Sequence, residues 1–269
     1  MKLEDKRVLI TGGSSGIGLG LARAMLERGA QVVITGRREA ALRAALDDLS
    51  HHGNGRIAMF VGDVGKPADR DAMLSFAVSH LGGLDVLVNN AGGVRAGRLE
   101  SITEEEITAM IEVDLLAPIL LTRKALPELR KCGNALVLNI SSSAALLGVP
   151  FYGTYAAAKA GLARFGEGLR RELNGEGVHV MTVYPVATDT PMMASSEAGP
   201  DLGFGRESVA EVVDAVIAGV ESDALEVRRG GESRAKFFAL NWENPLQLDA
   251  RFAELKPALE VAIRDHKAL

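Results

Sequence analysis

Seven short apolar runs constrain the fold more than any other feature: "RVLIT" from residue 7, "QVVIT" from 31, "RIAMFV" from 56, "LDVLVN" from 84, "ALVLNI" from 135, "VHVMTVY" from 178 and "LEVRR" from 225. Several are apolar almost throughout rather than at alternate positions. Such a strand buries both faces, which places it in a parallel sheet covered by helices above and below. Helix-period stretches lie between and after the runs, over residues 16–29, 38–50, 67–81, 103–131, 153–174, 207–221 and 246–265. The pattern specifies an α/β, doubly wound, seven-stranded sheet with helices on both faces. Ser101 or Thr103 before "EEE" starts the fourth helix, Pro67 suits a first helical position, and Pro118 and Pro127 kink or divide the fourth helix. No repeat, low-complexity tract or linker appears, so residues 1–269 read as a single domain.

A formal net charge of -5 with no basic run argues against nucleic acid and against an anionic membrane surface, leaving small molecules as partners. The longest apolar run, "LLAPILL" from Leu115 to Leu121, is too short to span a bilayer and contains Pro118. Cys132 is the only cysteine, and "MKLEDKRVLI" carries no export signal, so the expected location is the cytoplasm. No His/Cys cluster has metal-ligand spacing, so no metal is expected.

The first strand runs into "ITGGSSGIG", a turn that opens a helix with Gly12, Gly16 and Gly18 around Ser14, Ser15 and Ile17. Glycines let a phosphate approach the backbone, and the helix N-terminus offers free N–H groups and a positive dipole end, so a dinucleotide fits. The second strand ends in "ITGRRE", where Arg37 and Arg38 stand in place of an acid that would bind a ribose 2′-hydroxyl. A guanidinium pairs with a 2′-phosphate, which favours NADP; Glu39 keeps NAD open, and a solvated basic helix start is the plainer reading.

In "YGTYAAAK", Tyr155 stands one helical turn before Lys159, on the same face, and a nearby ammonium favours tyrosinate. Tyr152 lies a further turn away and lines the substrate pocket or packs at the helix entry. The preceding strand ends in "NISSSAALLG", whose three serines form a polar turn or supply a hydroxyl to the substrate. None of the five histidines is placed as a base beside them. The small, polar segment 186–206 suits a mobile substrate lid. Arg95 or Arg98 would attract an acidic substrate or simply be solvated, and Trp242 reads as a packing residue.

With these residues in hand, the chain resembles the short-chain dehydrogenase/reductase (SDR) family to about residue 230. Four motifs in order carry the resemblance: "TGGSSGIG" at Thr11, "NNAG" at Asn89, "YAAAK" at Tyr155 and a loop starting at Pro185 after the sixth strand. The resemblance implies a Rossmann-type sheet ordered 3-2-1-4-5-6-7, a nicotinamide cofactor and hydride transfer at a carbonyl or alcohol carbon. Residues 1–184 would hold most of the cofactor and catalytic core, and residues 235–269 a C-terminal helical extension. It implies Asp63 against the adenine amino group beside Val64, and Asn90, Ala91 and Gly92 along the adenosine side. Lys159 would bind the ribose next to Tyr155, Pro185 and Thr188 would flank the nicotinamide amide, and Thr190 would meet the amide or a phosphate.

The family's active serine lies thirteen residues before its tyrosine, which selects Ser142. Ser142, Tyr155 and Tyr152 are then the expected substrate contacts. The family's fourth catalytic position, usually an asparagine that holds a backbone bulge and a water relaying protons to the lysine, is Asp114 here, and its usual Pro-Gly loop start is Pro185-Val186. The expected function is an NADP-preferring oxidoreductase interconverting a ketone or aldehyde and an alcohol, assembled as a homodimer or homotetramer. The alternative, drawn from Asp114 and Val186, is a cofactor-sensing regulatory or scaffold protein with little turnover.

Overall fold

The computed structural model describes residues 1–53 and 55–269. Seven parallel strands form the central sheet: β1 (Arg7–Thr11), β2 (Gln31–Gly36), β3 (Ile57–Val61), β4 (Val86–Asn89), β6 (Ala135–Ile140), β7 (Val178–Tyr184) and β8 (Glu226–Arg228). Their order is β3-β2-β1-β4-β6-β7-β8. Counting only strands of this sheet, that is 3-2-1-4-5-6-7, as the sequence implied. A two-residue strand, β5 (Val94–Arg95), pairs antiparallel with β9 (Lys267–Ala268), so the end of the chain is stitched to the loop after β4.

The apolar runs are explained by two cores, one on each side of the sheet. Val8 and Ile10 point into a cluster with α1 (Gly16–Glu27), α2 (Glu39–Gly53) and α7 (Val209–Glu221), where Met25, Leu42 and Val216 are fully buried. Leu9 points the other way, to α3 (Pro67–Leu81), α5 (Ala117–Lys131) and α6 (Gly153–Glu172), beside Met73, Leu121 and Leu169. Period-two alternation therefore holds, with both faces apolar.

The expected helix over 103–131 is divided. Thr103 and Glu106 form a capping box that starts α4 (Glu104–Ile111), and a π turn at Glu112–Leu116 separates it from α5. Pro118 lacks the N–H that would bond the carbonyl of Asp114, and the wider turn just ahead of it accommodates that loss. Pro127 lies within α5 without ending it. The C-terminal region holds α8 (Gly231–Glu243), which periodicity does not reveal, and α9 (Pro245–Ala262). Trp242 is 78% exposed on α8, so the expectation that it packs is corrected.

One polar pair ties the N-terminal edge of the sheet. Arg7 grips Asp85 through Nε at 2.7 Å, Nη2 at 2.9 Å and its backbone N–H at 2.9 Å. Burial opposes the Asp85 charge, but these donors outweigh it and hold the carboxyl down at about 2. A carboxyl lowered in the fold stabilises fully above its unfolded value and loses that contribution as pH falls through the folded one. Between roughly pH 4 and 2 the protein should lose about 2 kcal/mol that Asp85→Asn lacks, read as converging thermal midpoints of the two proteins.

Candidate active site

The ends of β1, β4, β6 and β7 open on one cleft of about 460 Å³. Its first wall is the glycine turn. Gly12 (φ 66°) and Gly16 (φ 55°) occupy left-handed backbone, and a Cβ on Gly12 would stand 2.9 Å from the Ala91 Cα. Ser15 caps α1 with extended backbone and makes no side-chain cap bond, which leaves the first-turn N–H groups to a ligand. Thr11 Oγ1 accepts from the N–H groups of Asn90 and Ala91, and Asn90 Nδ2 donates to the carbonyls of Thr11 and Gly12. The "NNAG" stretch is thus the strap that holds the turn open.

Of the cofactor residues named from sequence, Gly12, Ser14, Ser15, Gly16, Ile17, Arg37, Arg38, Asp63, Val64, Asn90, Ala91, Gly92, Tyr155, Lys159, Pro185, Thr188 and Thr190 all line this cleft. Gly18 does not. It lies behind the turn, where a side chain would collide with Asn90 Nδ2 and the Gly12 carbonyl. Arg37 and Arg38 are exposed, and neither pairs with a carboxylate among the described residues. Glu39, the acid that kept NAD open, is paired with Arg43 at 2.6 Å. Asp63 Oδ1 accepts from the Gly65 N–H at 2.9 Å.

Opposite the turn stand Ser142, Tyr155 and Lys159. Ser142 follows β6 with extended backbone, its Oγ accepting from the Ala144 N–H at 3.1 Å. Tyr155 and Lys159 share a face of α6, with the Lys159 Nζ 5.8 Å from the tyrosine ring centroid. Asp114 does not line the cleft. It sits fully buried in the π turn behind Lys159, pairing with Nζ at 3.1 Å and accepting from the Gly93 N–H at 3.1 Å. Its Oδ2 is buried without a partner among the described residues. Lys159 Nζ also donates to the Ile140 carbonyl at 3.2 Å.

Burial pushes the Asp114 carboxyl up, against the pull of Lys159 and Gly93. Burial also opposes the Lys159 charge, but Asp114 and Tyr155 outweigh it and hold the ammonium above the usual lysine value. Lys159 does pull the Tyr155 phenol down, as expected, but burial outweighs it and the Asp114 charge adds to the rise, so the phenol lies above its ordinary value. An aspartate in this position offsets part of the lysine's field.

The Pro185-Val186 loop needs no glycine, since Val186 is not among the described residues with positive φ. Val186 is buried, and its carbonyl accepts from Thr188 Oγ1 at 2.9 Å.

The far end of the cleft is closed by residues 191–204 and the C-terminal region. Tyr152 is 6% exposed there, 5.7 Å from the Phe204 ring, with its hydroxyl unpaired among the described residues. Sequence reasoning missed His266, which the β5–β9 pairing brings to the cleft 6.0 Å from the Tyr152 ring. Its Nδ1 meets Ser195 Oγ at 3.3 Å. Burial, then Arg206 and Arg95, lower it to about 4, so it is neutral at physiological pH. Arg95 and Arg98, named as possible attractors of an acidic substrate, are already paired, with Glu106 and Glu260 respectively.

Comparison with known proteins agrees with this geometry. The short chain dehydrogenase family model matches residues 6–201, and the chain belongs to that family. A ketoacyl reductase, HetN, of Nostoc sp. is 32% identical over 84% of this chain and 78% of its own length. A 3-oxoacyl-[acyl-carrier-protein] reductase, FabG, of Vibrio cholerae is 35% identical over 71% and 77%. Among solved structures, a short-chain dehydrogenase from Streptomyces avermitilis has a TM-score of 0.78 and 30% identity, covering 96% of this chain and 98% of its own. One from Burkholderia cenocepacia, in complex with NADP, has a TM-score of 0.78 and 29% identity, covering 86% and 98%. The protein is an NAD(P)-dependent oxidoreductase of this family.

Proposed function

We propose that the chain is an NADPH-preferring reductase of ketones or aldehydes, with Tyr155 as the proton donor. One observation carries the reading: Ser142, Tyr155 and Lys159 open on the same cleft as the glycine turn and the two unpaired arginines. The residues fit a dinucleotide, because the Gly12 and Gly16 cradle has no room for side chains and the α1 N-terminus is uncapped. When bound, the nicotinamide supplies the hydride.

The protein's own groups manage the oxygen. Ser142 donates a hydrogen bond to the substrate carbonyl and polarises it. Tyr155, raised by burial, is protonated at neutral pH and gives its Oη proton to the developing alkoxide. Lys159 stabilises the tyrosinate left behind, and Asp114 keeps the lysine charged. The sign follows from the protonation state. Reduction needs the phenol and is available at neutral pH, whereas alcohol oxidation needs the phenolate. Its kcat/KM should climb with pH across the alkaline range, as a pH profile of both directions would show.

Arg37 and Arg38 would hold the 2′-phosphate. Arg37→Ala with Arg38→Ala should raise the KM for NADPH about 10- to 100-fold, the loss of charge-assisted bonds, and leave that for NADH little changed. Equal losses for both cofactors would refute the preference. The general test is NADPH consumption against a panel of ketones and aldehydes. Residues 186–206 would act as the lid over that substrate.

A further inference from the structure

The substrate end of the cleft contains a half-buried arginine that the reaction described above does not use. Arg234, on the first turn of α8, lines the cleft with Phe204, Phe237, Phe238, Phe252 and Leu255. Its stem lies flat on Gly230, where an added Cβ would stand 2.9 Å from the Arg234 Cβ, and Gly230 in turn packs on Val186 beside the Pro185 loop. Of its five N–H donors, one bonds a group among the described residues, Nη2 to the Gly203 carbonyl at 2.7 Å. No carboxylate among the described residues lies within ion-pair distance of it.

Neighbouring arginines differ. Arg206 reaches Asp189 at 3.5 Å and the Ser196 carbonyl at 2.7 Å, Arg229 pairs with Glu207 at 2.8 Å, and Arg251 is exposed over the Phe237 ring at 4.5 Å. Arg251 and Arg234 both line the cleft, but Arg234 is the half-buried one, and burial lowers it from the ordinary arginine value. A cation left part-desolvated with most of its donors free is unfavourable unless an anion completes it. A planar guanidinium with free donors suits a carboxylate, bound through two parallel N–H bonds.

We propose that Arg234 receives the carboxylate of the substrate, so that the enzyme acts on oxo acids: an apolar or aromatic body along the phenylalanine wall, the reacting carbonyl at Ser142 and Tyr155, and a free acid at Arg234. The acid is unchanged in the reaction; only the ketone carbon gains hydride and its oxygen a proton. This rests on the carbonyl-reductase reading, and the test separates the two.

Benzoylbutyrate and its methyl ester serve as matched probes, with Arg234→Ala and Arg234→Lys. Two readouts are taken: NADPH-dependent turnover, and calorimetric binding of each probe to the NADP-bound protein. The wild type should prefer the acid over the ester at least about 10-fold in kcat/KM, through KM. Arg234→Ala should bring that ratio close to unity, Arg234→Lys should recover part of it, and NADPH affinity should not fall in either. Acid binding that depends on Arg234, with no turnover of this probe or of any carbonyl in the panel, supports the anion site and refutes the reductase reading. Equal binding of acid and ester by the wild type, or a loss in Arg234→Ala shared by both, overturns the proposal. So does weakened NADPH binding in that variant, which would make the cofactor the anion that Arg234 serves.

Discussion

Tyr155→Phe is expected to lower kcat/KM for carbonyl reduction about a thousand-fold while NADPH binding stays intact. Phenylalanine keeps the ring that packs against the apolar cluster containing Val94 and Tyr152 and removes only the Oη, so the fold and the cleft survive the change. Loss of the proton donor leaves the developing alkoxide with the Ser142 hydroxyl alone. Tyr152→Phe makes the control, because its hydroxyl has no partner among the described residues and its ring does the packing. A Tyr155→Phe enzyme that retained most of its rate, with Tyr152→Phe losing it, would move the chemistry to the wrong tyrosine.

The second large effect concerns the buried pair behind the cleft. Lys159→Met should abolish activity and also cost about 3–5 kcal/mol of stability, because it strands the Asp114 carboxylate, 0% exposed, without its counter-ion. Adding Asp114→Asn to Lys159→Met should restore most of the stability and none of the activity, since the amide carries no charge to strand. Asp114→Asn alone should keep the enzyme active and shift the alkaline limb of alcohol oxidation to lower pH, because it removes the charge that opposes tyrosinate. Chemical denaturation of the four proteins, with pH profiles of the active ones, checks each part. A Lys159→Met protein as stable as the wild type would mean that Asp114 carries no charge in the fold.

The legibility of the chain divides along physical lines. Val8, Leu9 and Ile10 were readable because a parallel strand buried on both faces leaves an unbroken apolar run, and the glycine turn because backbone geometry at Gly12 and Gly16 excludes side chains. Tyr155 and Lys159 were reachable through spacing on one helix, whereas Ser142 was picked from three serines only by the family resemblance. The π turn was half visible, since Pro118 announces a break without giving its form.

What escaped was set by distant contacts. His266 reaches the cleft only because two residues near the chain end pair with Val94 and Arg95, and such a short ribbon leaves no periodic trace. Arg95 and Arg98 looked available because their partners, Glu106 and Glu260, lie elsewhere in the chain. Arg234 was passed over for the converse reason: nothing local shows that no carboxylate among the described residues pairs with it. The opposing effect of Asp114 on Tyr155 likewise depends on a buried distance that spacing cannot supply.

The most direct test follows the hydride itself. NADPH carrying deuterium at the nicotinamide C4 is incubated with the enzyme and the carbonyl panel, and the alcohol products are analysed by mass spectrometry. The expected result is deuterium at the carbinol carbon of at least one product, formed in step with NADPH consumed and lost in Tyr155→Phe. Tight NADPH binding with no labelled alcohol from any carbonyl would contradict it, and would leave a protein that senses the cofactor without turning it over.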